Sequence, residues 1–253
     1  MVRHLVAFFF CVLLSLPSVA QALAGQLTPP ASNDADQPVQ PAPRVRSAGP
    51  PEAPISIARL KVPRKARTLY EAALHAWGKH ASAEAQKKLD QALKIDSKFP
   101  EALALRGGIE AAYQQWDSAE QSLRAAIQID PGYSPAYVIL AGVYNTQSRY
   151  DEARMTTEQA LSAGASNWSV QYEIARAMIG KGQYENALAV TEAALRSNHG
   201  ALIHLAKAHA MLGLGKYPEA SVELRTYLHD DPNGDGSNAA RDLLQRVETL
   251  GSR

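Results

Sequence analysis

One segment near the C-terminus has residue types and spacing that could hold a metal. Asp231, Asn233, Asp235, Gly236 and Asp242 follow D-x-N-x-D-G, with an acidic residue at the twelfth position. Oxygen ligands at alternate positions, with glycine at the sharp turn, suit a hard cation such as calcium. Three features point the other way. The twelfth residue is Asp and not a bidentate Glu, the eighth is Asn238 where an apolar residue is usual, and the pattern occurs once. The same residues spell a plainer structure: an Asp-Pro chain reversal, a Gly-rich turn and a helix cap at Ser237 or Asn238. Short single motifs match by chance often. The sequence therefore assigns no metal and no cofactor.

The remaining candidates for chemistry are sparse. His75 and His80 stand five residues apart, as do His204 and His209. Residues five apart on a helix share a face poorly, and no carboxylate is set beside them in the sequence. No nucleophile motif, phosphate loop or paired-carboxylate arrangement occurs. The chain reads as a non-enzyme. Its 26 basic and 25 acidic residues give no field that would gather nucleic acid or an anionic membrane.

The elements that position these residues begin after two unstructured-looking segments. Residues 1–24 open with Arg3, continue with the apolar run Leu5 to Leu16, and end in small residues at Ala20, Ala22 and Ala24. This is the layout of a cleaved export signal, with the cut after Ala24 or Ala22. A retained anchor is the other reading, but a spanning helix needs about 20 apolar residues. The single cysteine, Cys11, lies inside the apolar run, so the mature chain can form no disulfide. Residues 25–62 follow as a Pro-rich extended linker. Eight of the fifteen prolines fall between Gly25 and Pro54, with no apolar periodicity. Ile55, Ile57, Leu60 and Val62 form a short apolar lead-in before Pro63, where a helix could begin.

From about residue 63 to 233 the sequence repeats. An alanine recurs at Ala85, Ala119, Ala153, Ala187 and Ala220, in steps of 34, 34, 34 and 33 residues. Twelve residues before each lies a small residue: Ala73, Gly107, Ala141, Ala175 and Ala208. Three residues before four of them is an aromatic, Trp116, Tyr150, Tyr184 or Tyr217, with Ser82 as the exception. Agreement of several columns in one frame marks an internal repeat. The pattern predicts two helices per unit, close-packed at the small residues, with the aromatic filling the wedge between them. Leu89, Leu123, Thr157, Thr191 and Leu224 form the core stripe of the second helices. Asp96, Asp130 and Asp231 close three units. One hairpin cannot bury its own apolar face, so neighbours must stack. Ala240, Leu243, Leu244, Val247 and Leu250 then make one apolar stripe, predicting a capping helix over residues 237–250.

These columns, with the turns RYDEA (Arg149 to Ala153), QYENA (Gln183 to Ala187) and KYPEA (Lys216 to Ala220), resemble the tetratricopeptide repeat (TPR) family. The resemblance implies an all-α fold, a right-handed α-solenoid of about five helix hairpins plus the capping helix. It also implies a concave groove that binds peptides or partner proteins. By the family's geometry the groove positions fall on Tyr70, Leu74, Trp77, Leu105, Val138, Ile139, Asn145, Tyr172, Arg176, Ile179, Leu205 and His209. These are mostly apolar, so the Lys/Asn/Arg clamp that some members use for a terminal carboxylate is not expected. Two readings of the set stand: a groove for a hydrophobic peptide or helix, or side chains packed within the hairpins or under the Pro-rich lead-in. Arg106, Glu110 and Lys207 occupy positions where the family has apolar residues. Arg106 and Glu110, four apart, could pair. In the fifth repeat, a lengthened first helix would let Leu202 and Leu205 take the core in place of Lys207.

The function implied is an exported, periplasmic or secreted, scaffold for a protein or peptide partner. The alternative is a structural or assembly component of an envelope complex, or a self-associating array. Neither nucleic acid nor stable membrane insertion after cleavage is expected.

Overall fold

In the first helix of each unit, small residues stand where the second helix must come close, and this sets the architecture. The computed structural model describes residues 62–251, apart from 166, 198, 199 and 235. The leader, the linker up to residue 61 and Asp235 of the calcium-like pattern lie outside the described residues. Val62, the last residue of the expected linker, instead packs into the core at 7% exposure.

The described chain forms eleven α-helices and no strand. Five antiparallel pairs follow one another: α1 (Arg64–Gly78) with α2 (Ser82–Ile95), α3 (Pro100–Ala112) with α4 (Trp116–Ile129), and α5 (Ser134–Thr146) with α6 (Tyr150–Ser162). The series continues with α7 (Trp168–Gly180) and α8 (Tyr184–Ser197), then α9 (Ala201–Gly213) and α10 (Tyr217–Asp230). The eleventh helix, α11 (Ser237–Gly251), packs on α10. Each pair also contacts the next, so this is an all-α repeat solenoid.

The small-residue columns do what their size suggests. A Cβ on Gly107 would stand 2.6 Å from Leu123 Cγ, so α3 and α4 meet at a distance only glycine permits. Ala73, Ala85, Ala119, Ala153, Ala175, Ala187, Ala208 and Ala220 are all fully buried. The second-helix stripe Leu89, Leu123, Thr157, Thr191 and Leu224 is buried throughout. Its two threonines return their hydroxyl hydrogens to backbone carbonyls, Thr157 to Arg154 at 2.8 Å and Thr191 to Leu188 at 2.9 Å.

The turn inside each pair repeats at the level of backbone angles. His80, Gln114, Ser148, Gly182 and Gly215 hold the same position, each with φ between 58° and 73°. The next residue's N–H returns to a carbonyl five residues back, as in Gln115 to Glu110 at 2.9 Å and Gln183 to Met178 at 2.9 Å. This left-handed closure satisfies the carbonyls orphaned at the helix end. Between pairs, Asp96, Asp130 and Asp231 each stand at a helix C-cap, with φ between −132° and −140°.

Two expectations are corrected. The turn aromatics reach beyond their own pair. Tyr150 lies against Gly180 at the end of the next unit's first helix, where a Cβ would come within 2.2 Å of the ring, and Tyr184 meets Gly213 in the same way at 2.3 Å. The first helix of the fifth repeat is not lengthened. It runs Ala201–Gly213 in strict register, 13 residues like α3, α5 and α7. Lys207 keeps its inward position because Glu223 on α10 faces it, 2.7 Å from Nζ to Oε1.

Arg106 and Glu110 pair at 3.7 Å, and Ser122 on α4 sits between them, accepting from Arg106 Nε at 3.1 Å and donating to Glu110 Oε2 at 2.7 Å. At the C-terminal end, Leu205, Leu224, Tyr227, Ala240 and Val247 form one buried cluster, so α11 covers the last pair.

Candidate partner-binding face

The first helices carry the predicted groove residues. Tyr70, Val138, Tyr172 and Leu205 occupy one row, a repeat length apart, and Leu74, Arg176 and His209 occupy the row one turn further on. Trp77, Asn145 and Ile179 form the last row. Leu105 and Ile139 stand one position off the first row. The Ile139 Cδ1 methyl lies 3.8 Å from where a Cβ on Gly108 would be, which puts it at the seam between α3 and α5. Most of the set is buried: only Leu74, Arg176 and His209 keep intermediate exposure. A partner reaching these side chains must displace what already packs on them.

The N-terminal part of the set is aromatic and apolar. The Tyr70 ring packs on Phe99 at 5.1 Å between centroids, with an interplanar angle of 56°. Trp77 is 6% exposed.

The part spanning the third to fifth repeats is polar and closely organised. Asn145 Nδ2 donates to the Glu173 carbonyl at 2.9 Å and to its carboxylate Oε2 at 2.8 Å. Arg176 Nη1 donates to both oxygens of the same carboxylate, at 3.2 and 2.9 Å. Arg176 Nη2 reaches Thr146 Oγ1 at 3.5 Å, and its guanidinium lies 5.7 Å from the centre of the Tyr172 ring. Glu173 is fully buried, and the Arg176 side chain is 13% exposed. Two opposite charges thus cancel inside the face. Burial works against the charge of Arg176, but the Glu173 carboxylate prevails and holds the guanidinium above its ordinary pKa. Burial pushes the Tyr172 phenol up to about 12. It pushes the His209 imidazole down to about 4, against a hydrogen bond to the Leu205 backbone, with Arg176 adding to the fall.

This arrangement brings together Asn145, Tyr172 and Arg176 from the predicted set, with His209 close enough to feel the Arg176 charge. Sequence reasoning missed the residue at their centre, Glu173. A signal was present: Glu173 shares its repeat position with Leu105, Ile139 and Ala206, so a carboxylate in that column had to find a partner. One atom in the cluster stays unsatisfied. Asn145 Oδ1 is buried and accepts no hydrogen bond, an energetically costly state for a polar atom.

Outside this face, His204 Nδ1 lies 2.6 Å from Glu223 Oε2, so the pairing of a histidine with a carboxylate that the sequence did not reveal is present across α9 and α10. No group of three or more His, Cys, Asp or Glu side chains converges on a metal position among the described residues. In the calcium-like segment, Ser237 Oγ donates to the Asp231 carbonyl at 2.6 Å, and Asp242 is exposed on α11. Elsewhere, Arg149 stacks on the Tyr144 ring of α5 at 4.4 Å and bonds Glu120 at 2.9 Å, tying α4 to the turn before α6.

The helix pairs and the periodic rows of first-helix side chains define a helical repeat fold of the tetratricopeptide type. Solved structures bear this out. A thermophilic TPR protein of Thermus thermophilus superposes with a TM-score of 0.65 at 16% identity, covering 73% of this chain and 99% of its own. A tetratricopeptide repeat protein of Parabacteroides merdae gives 0.62 at 17%, covering 72% and 71%. PilW, described as a type IV pilus biogenesis factor, gives 0.60 at 16%, covering 74% and 99%. No protein-family model and no curated protein sequence matches the chain. No helix among the described residues is long and apolar enough to cross a membrane.

Proposed function

We propose that this chain is an exported, non-enzymatic scaffold that binds a peptide or partner protein on the concave face of its repeat array. The observation that carries the reading is the row of first-helix side chains, aromatic at the Tyr70–Trp77 end and polar but charge-balanced around Asn145, Tyr172 and Arg176. Such a face suits an extended or helical segment with apolar side chains and an uncharged backbone. The positive charge that a terminal carboxylate would need is already engaged there, because Glu173 holds Arg176. Export rests on residues 1–24, whose apolar run and small-residue ending have the form of a cleaved signal.

The test is recovery of partners from an envelope fraction by wild type, Trp77→Ala and Tyr172→Ala, with helical content verified for each variant. Both substitutions are expected to lower recovery. Unchanged recovery from folded variants would sink the concave-face reading.

A further inference from the structure

We infer that Asn233 is a site of spontaneous backbone modification. Its side chain closes on the Gly234 nitrogen to a succinimide, and the isoaspartate left on hydrolysis loosens the capping helix α11.

Ring closure needs a main-chain nitrogen free of a neighbouring side chain and of a hydrogen bond, and a carboxamide free to reach it. Of the chain's asparagines, only Asn233 is followed by glycine. It is exposed in the turn between α10 and α11. Among the described residues, neither its carboxamide nor the Gly234 N–H makes a hydrogen bond. The other described asparagines are restrained. Asn145 donates to Glu173, and Asn167 accepts from Ser169 and Val170. Asn238 accepts from Arg241 at 2.9 Å. Asn186 is exposed but helical, and the following N–H, that of Ala187, is committed to the Gln183 carbonyl at 3.0 Å. A carboxylate also lies beside Gly234, where a Cβ would stand 2.0 Å from Asp231 Oδ2, and it supplies a base for the proton the nitrogen gives up.

The Gly234 nitrogen bonds to Asn233 Cγ and loses its proton. The Cγ–Nδ2 bond breaks, and the amide nitrogen leaves as ammonia with that proton. Water then opens the ring. Attack at Cγ leaves aspartate; attack at the former main-chain carbonyl leaves isoaspartate, whose backbone runs through Cβ and Cγ. One water is consumed, one ammonia is released, and nothing is oxidised or reduced.

The consequence for α11 lies in how the turn is tied. Ser237, buried at the start of α11, donates from Oγ to the Asp231 carbonyl at 2.6 Å and from its N–H to the Gly234 carbonyl at 2.8 Å. These two carbonyls stand on opposite sides of the reacting bond. Arg241 Nη2 also donates to the Pro232 carbonyl. Isoaspartate lengthens the main chain between these ties by one C–C bond, about 1.5 Å. Ser237 cannot then keep both partners, and a buried donor left without one is costly.

The test follows the purified full chain at neutral pH in heavy-oxygen water, with digestion in acid, mapping by mass spectrometry and isoaspartate scored by enzymatic methylation. Conversion at Asn233, with heavy oxygen incorporated, is expected at least about tenfold faster than at Asn186 or Asn238, whose following residues carry a Cβ. A synthetic peptide of residues 229–239 gives the rate without the fold. The folded chain should react within about fivefold of it, since the turn leaves the nitrogen free. A larger lag, or conversion no faster than at Asn186, would overturn the inference. Hydrogen exchange of the aged chain should then show α11 amides losing protection at least about fivefold while α3 to α5 are unchanged. Asn233→Ser aged alike, and fresh Asn233→Asp, which adds the charge without lengthening the chain, should keep their protection. Full protection of α11 after conversion, or equal loss in fresh Asn233→Asp, would overturn the effect on the cap.

Discussion

At the scale of single residues, the cost of a buried charge decides what the inner face tolerates. Glu173 is fully buried and is stabilised by Arg176 and Asn145. Removing Arg176 strands a carboxylate in the interior, and breaking such a pair from one side costs about 3–5 kcal/mol. Arg176→Ala is expected to lose about that much stability in urea unfolding, whereas the double substitution Glu173→Leu, Arg176→Leu should lose far less. His209 sets a pH dependence. Its pKa is about 4 in the folded chain against 6.5 unperturbed. Between those values the unfolded chain binds more protons, so acid favours unfolding. Its contribution is intact above about pH 6.5 and is lost as pH falls toward about 4. The urea midpoint should drop between about pH 7 and about pH 5, and His209→Gln should flatten that slope.

At the scale of helices and turns, packing across units matters more than packing within one. The Tyr150 ring occupies the space a Cβ on Gly180 would need. An aromatic ring held between helices cannot swing aside cheaply, so Gly180→Ala is expected to destabilise by about 1–3 kcal/mol, the usual cost of overpacking. A thermal melt checks this, and Tyr150→Leu in the same chain should recover part of the loss. The helix pairs were legible in the sequence because contacts between neighbours are written in residue size: alanine or glycine where two backbones meet, leucine or threonine opposite. The outward reach of Tyr150 and Tyr184 was not legible, because its counterpart is an absent side chain, Gly180 or Gly213, one unit away. Nor was the register of α9. Lys207 argued for a shifted helix until its partner, Glu223, was placed across from it. A charge in an apolar column is uninterpretable until the facing helix is known. The same holds for Glu173, whose partners sit on its own helix and on the first helix of the unit before.

At the scale of the molecule, the core is divided. One buried apolar cluster runs from Val62 to Ala177, a second gathers α7, α8 and α9, and a third joins α9 and α10 to α11. Stacked repeats are stabilised by their nearest neighbours, so the ends depend on their caps. Val247 is 1% exposed on the inner side of α11. Val247→Asp is expected to loosen α11 and the fifth pair first. Hydrogen exchange should show amides of α9 to α11 losing protection at least tenfold while those of α3 to α5 change little.

The pairing of Asn145 with Glu173 also bears on how an array of this kind can change length. Repeat proteins gain and lose units by duplication and excision, and uniform seams make any unit exchangeable with any other. Here the seam between the third and fourth units is unlike the rest. Excising residues 134–167 would set Glu173 against the second unit, whose residue equivalent to Asn145 is Ala111 and whose equivalent of Thr146 is Ala112. The carboxylate would lose a donor and Arg176 a contact. The units are therefore not interchangeable beads. Their order is locked at this joint, and removing either of its sides alone breaks the pairing.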